Sequence, residues 1–455
     1  MTAAQVRALA MPPGPRARFP GEFLLRLRGD FLGFLGEVAR DYGDAATFRL
    51  GSERYLLLNH PDLIRDVLVT HQRSFAKGRA LEQARRILGN GLLTSEGETH
   101  LRQRRLAQPA FHRDRVAGYG DTMVRCAARA GDRWRDGETL DMHAEMMRVT
   151  LAIVGKTLFD ADVEDDAEEI GHALEATLAA FSLSMLPLGE WLERVPLPST
   201  RRLMRARVTL DRTIYRLIAE RRATGEDRGD LLSMLMHATD TDGDGTGMSD
   251  VQLRDEALTI FLAGHETTAN ALSWTWYLLS QHPDVAARLH AEVDALGHEP
   301  GFADLPSLGF TRRVVSESIR LYPPAYAIGR RALEPYSFGE FTVPARTIVL
   351  MSTYLQHRDP RWWAEPDRFD PDRWTAEATA ARPKFSYFPF GAGTRVCIGE
   401  QFAWSEAALV LATLAQRWDP QLVPGHPVVL QPRITLRPKH GLRMTLHRRT
   451  PGGIV

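Results

Sequence analysis

Phe390-Gly-Ala-Gly-Thr-Arg-Val-Cys-Ile-Gly399 is the stretch on which the rest of the chain depends. It holds Cys397, one of only two cysteines in 455 residues. Gly391 and Gly393 permit a tight turn with φ > 0 and a close backbone approach to a flat ligand. Arg395 places a fixed cation beside whatever the loop holds. The next residues, Glu400-Gln-Phe-Ala-Trp-Ser-Glu-Ala-Ala-Leu-Val-Leu411, carry a helical period with Phe402, Leu409 and Val410 on one side. The sulfur therefore belongs at a helix N-terminus. There the macrodipole and unpaired N–H groups favour the thiolate, the form that ligates metal. Against this stands the plain reading of a lone cysteine as a buried small hydrophobe.

The stretch closely resembles the haem-binding loop of cytochrome P-450 monooxygenases, in which Phe, Gly, Arg, Cys and Gly recur at these spacings. Phe390, Gly393, Arg395, Cys397 and Gly399 match all five positions. Five fixed positions are far more specific than a lone GxGxxG. The resemblance implies a haem b group (iron protoporphyrin IX) with Cys397 as its axial thiolate and metal ligand. Phe390, Gly391, Arg395 and Gly399 would be further cofactor-binding residues.

Three other landmarks follow the family's order. In Glu98-Thr-His-Leu-Arg-Gln-Arg-Arg-Leu-Ala-Gln-Pro-Ala-Phe111, His100 and Arg104 stand four apart, on one helix face. Two such donors suit a pair of carboxylates. Because Arg102 and Arg105 lie beside them, a solvated basic face is the competing reading. In the resembled family a Trp or His followed by Arg at this spacing grips the haem propionates. Next, Ser249-Asp-Val-Gln252 is a capping box that opens a helix to about Gln281, stopped by His282-Pro283 and roughly 50 Å long. Inside it lies Ala263-Gly-His-Glu-Thr-Thr268, with a glycine and two threonines that are poor choices for a helix interior. Gly264 leaves room for a ligand. The Thr267 hydroxyl can bond back to a carbonyl one turn earlier. Glu266 supplies a carboxylate next to it. A packed helix with a tolerated glycine is the alternative. The family pattern of small residue, Gly, any, acid and Thr makes Glu266 and Thr267 the catalytic pair that manages protons. His265 points elsewhere on the wheel and is not assigned to iron. Last, Glu317 and Arg320 can pair on a helix, and Phe369-Asp-Pro-Asp-Arg373-Trp374 offers a second guanidinium. The resemblance joins Glu317, Arg320 and Arg373 as a buried cluster that positions the cysteine loop, with Trp374 where the family usually has Phe. Arg330 matches its propionate-binding Arg, in preference to Arg331.

The resemblance covers essentially the whole chain. It implies a mostly α fold with a smaller β-rich region (α+β), as one domain over residues 1–455 with an extended segment at 1–20. Local patterns predict one helix over 21–43 and a hairpin from 46–51 to 54–59. They predict a helix from Asn59 with proline in its first turn, a loop over 74–98 and successive helices over 112–237. The apolar stretch 174–188 reads as core or as a lid. Asp240-Thr-Asp-Gly-Asp-Gly245 imitates a calcium loop, but Val251 stands where the twelfth position needs Glu.

Lys+Arg and Asp+Glu both number 57, so the formal net charge is zero and nothing favours nucleic acid or an anionic membrane surface. Cys126 and Cys397 form no disulfide framework, which fits a reducing compartment. Met11-Pro-Pro-Gly-Pro-Arg16 is the proline hinge that membrane-bound members carry after an anchor helix. With no anchor seen ahead of it, a cytoplasmic, bacterial-type protein is expected. No GxGxxG unit or iron–sulfur cysteine set is visible, so electrons should come from a separate ferredoxin or flavodoxin with its NAD(P)H-dependent reductase. Arg102, Arg105 and Lys384 are its expected docking charges. The implied activity is insertion of one oxygen atom from O2 into an apolar lipid, terpenoid or steroid-like molecule, by hydroxylation or epoxidation. Pocket candidates are the 74–98 stretch, Phe181, Ala263, Ala325 to Ile328, and Ile434. A peroxygenase is the rival enzyme, although peroxide users of the family usually lack the Glu266–Thr267 pair. A haem-thiolate sensor or binding protein without turnover is the rival from another class.

Overall fold

The computed structural model describes residues 10–160, 173, 176–177, 198–240 and 245–450. Phe181 lies outside the described residues. The chain divides into two compact units. The first comprises Met1–Glu82, Tyr326–Asp367 and Ala380–Cys397; the second comprises Gln83–Ala325, Arg368–Thr379 and Ile398–Val455.

The first unit is built on a five-stranded sheet, in the order Ala45–Leu50, Glu53–Leu58, Ile348–Met351, Ile328–Ala332 and Phe75–Lys77. The expected hairpin is present, turning at Gly51 with φ 59°. Leu56, Leu57 and Leu58 are all buried because both faces of the sheet are covered. Successive strand side chains alternate. Leu57 therefore packs with Phe34, Leu35, Val38 and Phe48, while Leu56 and Leu58 pack with Ile64, Val67, Val349 and Met351.

Two local expectations are corrected here. Residues 21–43 form two helices, Glu22–Gly29 and Phe31–Tyr42. Asp30 between them is extended, and its carboxylate accepts from the Gly33 N–H at 2.8 Å, so capping wins over continuation. Residues 74–98 are not a plain loop, because Phe75–Lys77 is a strand and Arg79–Leu88 a helix. That helix buries Ala84, Ile87 and Leu88 between exposed arginines. The helix after Asn59 begins at Pro61, with His60 as its cap.

The second unit is mainly helical. Its spine is the 32-residue helix Asp250–Gln281, capped by Ser249, whose hydroxyl accepts from the Gln252 N–H at 3.3 Å. Around it pack Met142–Phe159, Pro198–Thr224, Gly309–Leu321 and Glu400–Ala415. Trp274 and Trp276 are fully buried on the spine, and this burial offsets the poor intrinsic propensity around Gly264. The strands here are short: a three-stranded sheet, and a hairpin pairing Leu430–Pro432 with Leu436–Pro438. The molecule is thus mostly helical, with its larger sheet in the first unit. Among the described residues no helix is long and apolar enough to cross a membrane.

Candidate active site

The cysteine loop closes on itself. The Cys397 N–H donates to the Phe390 carbonyl at 2.9 Å. Gly391 and Gly393 take φ of 71° and 68°, the left-handed region that the sequence reading required of them. A Cβ on Gly393 would stand 2.1 Å from the Leu68 carbonyl oxygen, so the loop lies directly against that backbone. Gln72 Oε1 holds the next residue twice, accepting from the Thr394 N–H at 2.8 Å and from its hydroxyl at 2.9 Å. Ahead of the loop, fully buried His357 accepts the Phe388 N–H on Nε2 at 3.0 Å. The Cys397 thiol is exposed while most of its loop is half-buried. A shaped loop that leaves a thiol open fits a flat apolar group laid over it.

Ile328 and Arg330 come from the neighbouring strand. Ile328 Cδ1 would touch a Cβ on Gly391 at 3.6 Å. Arg331 is tied to carboxylates: it donates to Glu82 at 2.8 and 3.0 Å and to Glu53 at 3.4 Å. Strand alternation sends Arg330 to the opposite face, and its Nη1 donates to the Gly329 carbonyl at 3.0 Å. Arg395 sits half-buried in the turn Gly393–Arg395.

In the second unit, the middle of the long helix is buried except at Ala263, Gly264 and Thr267, which open on one side. The Thr267 hydroxyl donates to the Ala263 carbonyl at 2.7 Å, as expected of it. Gly264 serves packing as well as space, since a Cβ there would come 3.3 Å from Val154 Cγ2. His265 is turned away, with Nε2 donating to the Met147 carbonyl at 3.1 Å. Burial pushes its pKa down to about 4, so the ring is neutral. Glu266 is 2% exposed and accepts from the Thr435 hydroxyl at 2.6 Å. Thr435 in turn accepts from Asn270 Nδ2 at 3.0 Å, and Asn270 Oδ1 meets His143 Nε2 at 3.1 Å. Ile434 beside Thr435 is half-buried, and Ala325 is exposed.

Glu317 and Arg320 are both completely buried and pair in a fork, Nε to Oε2 and Nη2 to Oε1, each 2.8 Å. Arg373 Nε approaches Glu317 Oε1 at 3.3 Å. The departure at Trp374 has a physical account: its Nε1 donates to Glu317 Oε2 at 2.9 Å. The Asp370 N–H adds a bond to Oε1 at 3.0 Å, and Arg320 Nη2 donates to the Arg368 carbonyl at 3.0 Å. The cluster therefore fastens residues 368–374 to the Gly309–Leu321 helix.

The helix Gly97–Ala107 buries His100, 3% exposed, and leaves Arg104 half-buried. Arg102 and Arg105 turn to Asp240 at 3.5 and 2.9 Å, and Arg102 also donates to the Thr246 and Gly247 carbonyls. Arg102 and Arg105 thus share one buried carboxylate, which ties both side chains to the segment around Asp240, while the Arg105 side chain stays 42% exposed.

Sequence reasoning missed Gln72, Asn270, His143 and Thr435, whose partners lie far away along the chain. It also missed Glu406, fully buried on the Glu400–Ala415 helix. Burial pushes the Glu406 carboxyl up to about 8, so it is protonated at neutral pH. Thr268 offsets part of this shift, although neither carboxyl oxygen has a well-formed hydrogen bond among the described residues.

Comparison with known proteins bears on these features. The family profile described as "Cytochrome P450" matches residues 11–443. "Cyclooctatin synthase" of Streptomyces melanosporofaciens is 41% identical over 400 residues, 87% of each chain. "Cyclooctat-9-en-7-ol 5-monooxygenase" of the same organism is 39% identical over 388 residues, 84% of each chain. A solved structure described as "cytochrome P450DA heme domain" superposes with a TM-score of 0.87 at 27% identity, covering 98% of this chain and 99% of the other.

Proposed function

We propose, from the premise that this chain belongs to the cytochrome P450 family, that residues 1–455 form one catalytic domain that oxygenates a cyclic terpenoid hydrocarbon or alcohol. The chain is an oxidoreductase: a haem-thiolate monooxygenase that acts on an apolar small molecule with electrons from a redox partner. When bound, a thiolate-ligated haem activates dioxygen, the sulfur pushing electron density to favour O–O cleavage.

The chain's own residues do the remaining work. Cys397 supplies the thiolate, and the exposure of its thiol on a self-closed loop is the observation that carries this assignment. Phe390, Gly391 and Gly399 keep the loop close to a flat group. His100, Arg104, Arg330 and Arg395 hold the two propionates of haem b by charge-assisted hydrogen bonds. Thr267, with its O–H on the Ala263 carbonyl, keeps lone pairs to accept a bond from an ordered water. Glu266 holds a proton on its carboxylate oxygens and releases it. Ala263, Ala325, Ile328, Ile434 and Phe181 pack the substrate and exclude water. Glu317, Arg320 and Arg373 keep the scaffold rigid. The substrate class rests on the names of the two Streptomyces relatives, one of which is a monooxygenase of a cyclic alkenol. A ferredoxin or flavodoxin with its NAD(P)H-dependent reductase supplies electrons, in the cytoplasm.

The decisive experiment is the carbon monoxide difference spectrum of the reduced protein. A red-shifted band that disappears in Cys397→Ala is expected; its persistence in that variant ends the assignment. Haem extraction into alkaline pyridine identifies the porphyrin. Screening cyclic terpenoids for displacement of water in the haem spectrum, then for NADPH-dependent product with a surrogate ferredoxin and reductase, identifies the substrate. Product from peroxide alone, with none from NADPH, is the opposing result.

A further inference from the structure

We propose that Thr435 is a positioning residue for Glu266, and that it ties the tip of the C-terminal hairpin to the carboxylate that handles protons. The inference rests on the assignment of Glu266 above and adds the device that holds it. Glu266 is almost completely buried, and a carboxylate in that setting needs donors to stay oriented. Thr435 provides one at 2.6 Å from the turn between Leu430–Pro432 and Leu436–Pro438, 169 residues further along the chain.

The direction of this bond is fixed by its neighbours. A hydroxyl has one proton. Asn270 Nδ2 donates to Thr435 Oγ1 at 3.0 Å, so the Thr435 proton goes to Glu266 Oε1. In the tautomer that carries its proton on Nε2, His143 donates to Asn270 Oδ1 at 3.1 Å and holds the amide in that orientation. Flipping the amide would place its NH2 against the His143 N–H and its oxygen against the Thr435 hydroxyl, and Thr435 could then no longer donate to Glu266. All three bonds therefore run toward the carboxylate, from half-buried His143 inward. The line does not conduct protons, because an amide nitrogen cannot accept one and pass one on. It sets the angle of Glu266.

Asn270 stands one helical turn beyond Glu266 on the same helix, and the Trp274 indole N–H donates to the Leu436 carbonyl at 3.0 Å. The hairpin is thus fixed to the long helix at two levels, one of which is Glu266 itself. Ile434, the neighbouring hairpin residue, is a proposed substrate contact. Displacement of the hairpin by a substrate that does not fit would withdraw the Thr435 hydroxyl and leave Glu266 without that donor. The hairpin so links the fit of the substrate to use of the proton.

The test compares Thr435→Val, which keeps the shape and removes the hydroxyl, with Thr435→Ser, which keeps the hydroxyl. Two readouts are taken on the purified haem-loaded protein. The first is a double-mutant cycle of Thr435→Val with Glu266→Gln in the urea unfolding equilibrium. A coupling factor of about tenfold is expected for a hydrogen bond to a carboxylate. The second is product formed per NADPH consumed. It should fall severalfold in Thr435→Val with little change in KM, and Thr435→Ser should restore it. Additivity in the cycle, or an undiminished product ratio in Thr435→Val where Glu266→Gln has lost it, overturns the positioning role. An undiminished ratio in Glu266→Gln overturns the assignment of Glu266 itself, and this inference with it.

Discussion

Two regions of the helical unit each bury a glutamate, and they treat it in opposite ways. On the Gly309–Leu321 helix, Glu317 is surrounded by the Arg320 fork, Arg373, the Trp374 indole and a backbone N–H. In the centre of the long helix, Glu266 accepts from the hydroxyl of Thr435, which is itself bonded to the Asn270 amide. A carboxylate forked by one guanidinium and approached by another acts as a rivet between two segments. A carboxylate held by a hydroxyl is oriented by an uncharged and weaker donor. Glu406, near the same long helix, marks the limit of that contrast: among the described residues its carboxyl oxygens have no well-formed hydrogen bond, and burial keeps it protonated.

Three substitutions test this contrast, two at the Glu317 cluster in order of expected effect and one at Glu406. Glu317→Ala strands the fully buried Arg320 guanidinium and the partly buried one of Arg373, and should destabilise the protein by roughly 3–5 kcal/mol. Its expected outcome is purified protein without haem, and a normal haem content in that variant would break the comparison. Trp374→Phe removes one donor from Glu317 and should cost roughly 1–3 kcal/mol in urea unfolding. No loss in that variant would mean the guanidinium groups alone satisfy Glu317, which sharpens the contrast with Glu266.

Glu406→Gln tests the third acid through pH. Burial raises the Glu406 pKa in the folded chain to about 8, from an ordinary value of 4.5. Between those values the folded chain keeps a proton that the unfolded chain has released. The stability Glu406 contributes is therefore complete below about pH 4.5 and is lost as pH rises through 8, at up to about 1.4 kcal/mol per pH unit. The stability of Glu406→Gln relative to the parent should rise steadily over that window. A difference independent of pH would show that Glu406 is ionised in the fold.

What could be read along the chain was what lies close together along the chain. The cysteine loop is contiguous, and its closing bond joins Phe390 to Cys397. Glu317 and Arg320 share one helix face, and Thr267 bonds back within its own turn. What could not be read needed a distant partner or a local competition. Gln72 and Thr394 meet across 322 residues, and Thr435 and Glu266 across 169. Asp30 divides an apparently continuous helix by capping the next one. The Arg79–Leu88 helix was hidden because its arginines dominate the composition while Ala84, Ile87 and Leu88 carry the burial. Arg102 and Arg105 read as free charges until folding supplied Asp240.

The sequence by itself determined the family, the closed turn of the cysteine loop, the opening in the long helix and the pairing of Glu317 with Arg320, because each is encoded at short separation in residue types with few other uses. Only the tertiary structure decided which arginine of the Arg330–Arg331 pair is tied up by carboxylates, why a tryptophan serves at position 374, and what orients Glu266. Those outcomes depend on which buried polar groups find one another when remote segments pack, and the strength of a buried hydrogen bond comes from that enclosure rather than from the residue alone.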